Sequence, residues 1–266
     1  MAGLKLSVIS IFILATAVLP AVNAQKGVTR SHLATYRSNN CVICHSRITD
    51  PVRLSAKFYD WMNSSHERTG VTCDKCHGGN PLAKDEAAAH AGVANPSSPQ
   101  STLYQKNQPG TCGKCHQAIS DAFVKSDHFK QMNGPDFSAS CNTCHLHMAA
   151  NVVYWPPDTA RLCAACHKSD GTAPKSTDIP VKAGDVVAAF TRADEVIDWS
   201  YFLVKEGRKK RINLTSEVAE LQRLEAILKN AKRSYHEFNL KDSRAMADQA
   251  FLEGSKVKNR LAKRGL

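Results

Sequence analysis

Hydrophobic positions divide this chain into three kinds of segment. Near the N-terminus an unbroken apolar run extends from Leu6 through Leu19 and stops at Pro20. From about residue 41 to residue 170, long periodic apolar segments are scarce. From about residue 180 the period becomes helical. Val186, Val187, Phe190, Ile197, Tyr201 and Val204 recur at helical spacing. Val218, Leu221, Leu224, Leu228, Ala231, Tyr235 and Phe238 then form a stripe at three- and four-residue steps. The stripe predicts a helix capped by Thr215 or Ser216, with Glu217 and Glu220 at its positive end. A shorter helix is expected from about Ser243 to Leu261. No alternating strand pattern occurs, so the expected fold class is mainly α.

The N-terminal run is short for a bilayer span, which takes about 20 apolar residues. Lys5 precedes it and Ala21-Val22-Asn23-Ala24 follows it, the layout of a secretory signal peptide cleaved after Ala24. An uncleaved anchor is the competing reading. Export places the mature chain in the periplasm or outside the cell. Residues 25–40 read as an irregular arm.

Ten cysteines in an exported chain ordinarily mean a disulfide framework. Their spacing rejects that. All fall into five C-x-x-C pairs, each followed at once by histidine: Cys41-Val42-Ile43-Cys44-His45, Cys73-Asp74-Lys75-Cys76-His77, Cys112-Gly113-Lys114-Cys115-His116, Cys141-Asn142-Thr143-Cys144-His145 and Cys163-Ala164-Ala165-Cys166-His167. C-x-x-C-H is the attachment sequence of c-type heme. Two thiols one helical turn apart meet the porphyrin's vinyl groups, and the adjacent imidazole points at the iron. A structural zinc site joins two Cys pairs and needs no His after each. A thioredoxin-like motif needs a βαβ context. The motifs therefore predict five hemes c per chain, with His45, His77, His116, His145 and His167 as proximal ligands.

Eleven histidines occur in all. The six outside the motifs are His32, His66, His90, His128, His147 and His236, enough to give all five irons a second imidazole with one to spare. Met132 and Met148 are alternative axial ligands that would raise a heme's potential. The first cysteines lie 32, 39, 29 and 22 residues apart, unequal spacings that exclude a regular solenoid. Short helices are expected around the motifs, joined by loops such as residues 94–99 and Gln108-Pro109-Gly110. The porphyrins are expected to supply the core that side chains here do not. The resulting division is a signal peptide (1–24), an arm (25–40), a pentaheme domain (41–179) and a C-terminal helical extension (180–266).

With these motifs in view, the chain resembles the superfamily of cytochrome c554, hydroxylamine oxidoreductase and pentaheme nitrite reductase. The likeness rests on Ile48-Thr49-Asp50-Pro51, Trp61 and Ser65-His66 ahead of Gly70-Val71-Thr72-Cys73. Gly78-Gly79-Asn80-Pro81, Ala89-His90-Ala91-Gly92 and Ser126-Asp127-His128 extend it. More loosely, Tyr235-His236-Glu237-Phe238-Asn239 looks like the family's histidine-bearing C-terminal helix. The resemblance implies distal ligation by histidines ahead of the motifs. The chain departs from the nitrite reductases in having no C-x-x-C-K, and from the hydroxylamine oxidoreductases in heme number. No catalytic residue is assigned.

Charge adds one further point. The chain carries a formal +11, of which residues 181–266 hold +6. Lys205, Arg208, Lys209, Lys210, Arg211 and the run from Lys256 to Arg264 are solvated helix faces or ends, or else a docking surface for an acidic redox partner or an anionic membrane. Nucleic acid does not suit an exported cytochrome. The expected function is electron transfer between redox partners through bis-His hemes. Two alternatives stay open. One is a heme enzyme with an open coordination site acting on a small nitrogen or sulfur compound. The other is a subunit of a cytochrome filament.

Overall fold

The computed structural model describes residues 36–132, 138–147, 155–170, 173 and 178–266. The apolar N-terminal run at residues 6–19, most of the 25–40 stretch, His32 and Met148 lie outside the described residues. Residues 36–266 form one compact unit. The described residues are helical with no strand, a mainly α fold.

Among the described residues, ten α-helices precede residue 170, most of them short: α1 (Asn40–His45), α2 (Val52–Met62), α3 (Ser65–Arg68), α4 (Cys73–His77), α5 (Glu86–Ala89), α6 (Gln108–Gly113), α7 (Gln117–Phe123), α8 (Asp127–Gln131), α9 (Cys141–His145) and α10 (Pro156–Ala164). Side-chain caps start several of them. Asn39 accepts from the Val42 N–H, Ser64 from Glu67, Asp85 from Ala88 and Ser126 from Phe129. Such caps satisfy amides that a helix of four to six residues otherwise leaves bare. The loop expected at Gln108-Pro109-Gly110 is instead the start of α6. Proline costs nothing in a first turn, where its missing N–H would have had no acceptor.

Three long helices complete the chain: α11 (Asp178–Lys209), α12 (Thr215–His236) and α13 (Leu240–Lys263). They run up, down and up. Arg192 pairs with Asp248, Lys232 with Asp194, and Arg260 with Glu220. α11 has 32 residues and is about 48 Å long at 1.5 Å per residue. The core of this bundle is apolar and closed. Leu221, Leu224, Ala231, Ala247, Ala250, Val257 and Leu261 are each 0% exposed. Where α11 and α13 approach, Gly254 is required, because a Cβ there would sit 2.9 Å from Val196 Cγ1.

Neither Thr215 nor Ser216 caps α12. The N-cap position is Leu214, and the residue before it, Asn213, accepts the N–H and hydroxyl of Thr215 through Oδ1. α13 begins three residues earlier than its apolar pattern suggested, because the Asn239 side chain accepts the Asp242 N–H. Arg260 and Arg264, part of the C-terminal basic run, turn back onto Glu220 and the nearly buried Glu217.

Two of the contacts that join the bundle to the motif region lie at α10 and just after α7. Gly184 of α11 lies where a Cβ would be 3.0 Å from the Pro156 carbonyl of α10. Lys125, just after α7, pairs with Glu237, just after α12, at 3.2 Å. No described helix is long and apolar enough to cross a membrane.

Leu221 is fully buried at the centre of the bundle, so Leu221→Ala is expected to cost about 2–5 kcal/mol. Chemical denaturation followed by far-ultraviolet circular dichroism measures it. A loss below about 1 kcal/mol, the range of a tolerated core swap, would contradict this account of the core.

Candidate metal centres

All five motifs lie on or against short helices, with Cys41, Cys73, Cys112, Cys141 and Cys163 one turn before their partners. None of the ten cysteines is in a disulfide. Successive motifs sit side by side. Cys73 is within electrostatic reach of Cys41, Cys76 of Cys112 and Cys115, and Cys144 of Cys163 and Cys166.

Polar clips hold these neighbours. Asn39, already capping α1, donates through Nδ2 to Asp74 Oδ1 at 3.0 Å, tying the first motif to the second. The Thr102 hydroxyl donates to the Cys76 carbonyl at 2.5 Å. Gln108 is 3% exposed, and its Oε1 accepts the Asn142 N–H at 3.0 Å, tying the third motif to the fourth. None of these clips carries a sequence signal, because each partner lies 26 to 35 residues from the other.

The histidines meet in pairs. His45 faces His90 with ring centroids 6.2 Å apart, His66 faces His116 at 6.2 Å, His128 faces His167 at 5.9 Å, and His145 faces His236 at 6.1 Å. Each pair joins one motif histidine to one histidine outside the motifs. Imidazoles on opposite sides of a metal, with bonds of about 2 Å and about 1.1 Å from ring centre to nitrogen, have centroids about 6 Å apart. The His145 and His236 planes are within 6° of parallel. At 6.1 Å between centroids these rings are beyond the roughly 3.5–4 Å of stacked contact. The other pairs are crossed, at 66°, 62° and 77°.

Local structure aims these rings. His66 and His128 both occupy the second position of a short helix, two residues after a buried capping serine, Ser64 or Ser126. His90 follows the last residue of α5, and its Nδ1–H donates to the Glu86 carbonyl at 3.0 Å. His236 ends α12, and its Nδ1–H donates to the Lys232 carbonyl at 2.7 Å. A carbonyl can only accept, so in both rings Nδ1 carries the proton and Nε2 presents a lone pair.

Where an imidazole is buried, burial favours its neutral form, the form that binds a metal. His145 is pushed down to about 4 by burial, then by His236 and His116. Burial is also the main cause of lowering at His45, His66, His77, His128 and His236.

His77 is in no ring pair among the described residues. His147, two residues beyond the fourth motif, lies within its electrostatic reach and has Nδ1 3.5 Å from Asp60 Oδ2. Met132 caps α8, four residues after His128. The residue that sequence reasoning missed is Phe238. It reads as the last position of the α12 stripe, yet it lies beyond the helix end, with its ring centroid 4.0 Å from that of His128.

Part of the chain is similar to the C-type polyheme cytochrome OmcC of Geobacter sulfurreducens, 27% identical over 169 residues, covering 52% of this chain and 21% of the relative. It is also similar to the C-type polyheme cytochrome OmcB of the same species, 25% identical over 190 residues, covering 51% of this chain and 26% of the relative. Its homologues are polyheme c-type cytochromes. The matched stretch spans only about a fifth to a quarter of their length. No family model matches the chain, and no solved structure matches it.

The Asn39–Asp74 clip has a pH dependence. Burial raises the Asp74 pKa, and hydrogen bonds from Thr72, Lys75 and Asn39 together outweigh it, leaving a net lowering from 3.8. A carboxyl lowered in the folded state contributes stability above its unfolded pKa and loses it as pH falls through the folded value. The junction of the first two motifs is therefore expected to become protease-sensitive below about pH 4. In Asp74→Asn this acid dependence should vanish, with the site already weaker at pH 7. Equal acid sensitivity in the variant would contradict the assignment.

Proposed function

We propose that this chain is an exported cytochrome carrying five covalently bound hemes c, and that it passes electrons between redox partner proteins. The carrying observation is the set of four histidine pairs, each with one ring from a C-x-x-C-H motif and a spacing that suits an iron. In this reading Cys41, Cys44, Cys73, Cys76, Cys112, Cys115, Cys141, Cys144, Cys163 and Cys166 each add a thiol across a porphyrin vinyl group and form a thioether. His45 and His90 hold the first iron, His116 and His66 the third, His145 and His236 the fourth, and His167 and His128 the fifth. His77 holds the second, with His147 or His32 opposite, and the electrostatic proximity of His147 to His77 favours His147. Bound heme supplies one-electron ferric–ferrous chemistry, at low potential when both axial ligands are imidazole.

The apolar run at residues 6–19 and Ala21-Val22-Asn23-Ala24 support export with cleavage after Ala24. The quoted motifs support a c554-type arrangement within the polyheme cytochromes. Residues 41–179 bear the hemes. Residues 180–266 form a helical extension held to them through His236. The exposed cations Lys205, Arg208, Lys209, Lys210 and Arg211 suit an acidic partner protein. A second reading, an enzyme with one open coordination site, has one observation in its favour: His77 stands outside the four pairs found among the described residues.

The test is an EPR spectrum of the oxidised protein with total heme quantified on the same sample, and denaturing mass spectrometry. The expected result is a mature chain from Gln25 with five hemes, all low-spin. His236→Ala is expected to turn one heme high-spin and to expose the long helices to protease, leaving four hemes unchanged. A stoichiometric high-spin signal in the unaltered protein would favour the enzyme reading. A mass consistent with unmodified thiols would overturn both.

A further inference from the structure

We infer that Phe238 is a positioning residue that sets the ring plane of His128, a reading that rests on His128 and His167 being axial ligands of one heme. The backbone supplies the first observation. α12 ends at His236, and the Asn239 N–H reaches back to the Ser234 carbonyl at 3.2 Å, the six-to-one bond of a left-handed helix termination. The residue that must turn left-handed in such a termination is usually glycine, or asparagine, because a Cβ is strained there. Here it is Phe238, at φ +60°. A bulky side chain in that conformation persists only where the surroundings over-determine it.

The ring contact is the second observation. Phe238 meets His128 with centroids 4.0 Å apart and planes at 66°, closer than the usual edge-to-face range of about 4.5–7 Å. The neighbouring chain is pinned on both sides of the contact. Glu237 pairs with Lys125 at 3.2 Å, and the Ser138 hydroxyl donates to the His128 carbonyl at 2.5 Å. His128 therefore has a fixed backbone, and its ring has one dense neighbour that limits rotation about the Cβ–Cγ bond. Its plane stands at 77° to His167. Glycine at 238 would satisfy the helix end and leave that plane unset.

The consequence is specific to one centre. Crossed axial imidazoles leave the two π-type d orbitals of a low-spin ferric iron nearly equal in energy, which raises the largest g value. Parallel imidazoles split those orbitals and give a more rhombic spectrum. His236, two residues before Phe238, faces His145 at 6°. One short segment thus serves two centres of opposite ring geometry, with His236 as a ligand at one and Phe238 as a wedge at the other.

The test is EPR of the oxidised holoprotein with Phe238→Gly, which relieves the backbone while removing the ring. The expected result is that a large-g signal of one heme equivalent moves to lower g or splits. The parallel-plane signal should stay unchanged, with the heme count and spin state conserved. Phe238→Tyr, which keeps the ring, should restore the original signal. If the glycine variant does not accumulate, Phe238→Leu keeps apolar volume without the aromatic edge and is expected to give the same shift. An unaltered spectrum in whichever of these variants accumulates overturns the inference. Its failure is distinguishable from failure of the ligation reading, which would show in the unaltered protein as fewer than five low-spin signals.

Discussion

The structure depends on imidazoles brought opposite one another, about 6 Å apart between ring centres, from distant parts of the chain. The partners are 45, 50, 39 and 91 residues apart in sequence, so each pair closes a long loop. Closing such loops costs chain entropy that local hydrogen bonds in helices of four to seven residues do not offset. Nor does side-chain burial. Among the described residues before 170, the buried apolar side chains are Tyr36, Val42, Trp61, Ala122, Phe123 and Met132, whereas the last three helices hold a continuous core. A fold so short of apolar burial needs another attraction at its centre, and paired neutral imidazoles supply the donor set for one.

Neutrality has its own cost. A buried imidazole must keep its proton on one nitrogen and find an acceptor for it. The part-buried His236 does this through the Lys232 carbonyl one turn back in its helix, and the exposed His90 makes the same kind of bond to Glu86. The arrangement leaves the opposite nitrogen as a directed lone pair and fixes the ring against the helix axis. Fixing the ring is cheap at the end of α12, because a closed apolar bundle already holds that helix. The bundle thus acts as a rigid strut delivering His236, which explains why the most ordered apolar packing lies away from most of the cysteines.

Electrostatics divides along the same line. Charges on the bundle flanks are consumed in pairs between helices, worth about 0–1 kcal/mol each where exposed. Glu217, nearly buried under Arg264, is the exception in which removing one partner would strand a charge. Five exposed cations stand close together at the end of α11 and the turn after it, Lys205, Arg208, Lys209, Lys210 and Arg211, with Lys209 paired to Glu206.

By itself the sequence determined everything that depends on near neighbours. The C-x-x-C-H spacing, the stripe on α12, the mainly α class and the pool of histidines outside the motifs were all legible, because each is set within one or two helical turns. Even so, local reading misplaced the α6 start, the α12 cap and Phe238, where a residue one or two positions away took the expected role. Only the tertiary structure decided which histidine faces which, that His236 lies parallel to His145 while His128 lies across His167, and that Asn39 and Gln108 clip adjacent motifs. Those outcomes depend on where separate helices cross. No local spacing encodes a crossing, because it is set by the packing of α10 on α11 and α7 on α12 and by the close approach that Gly184 permits.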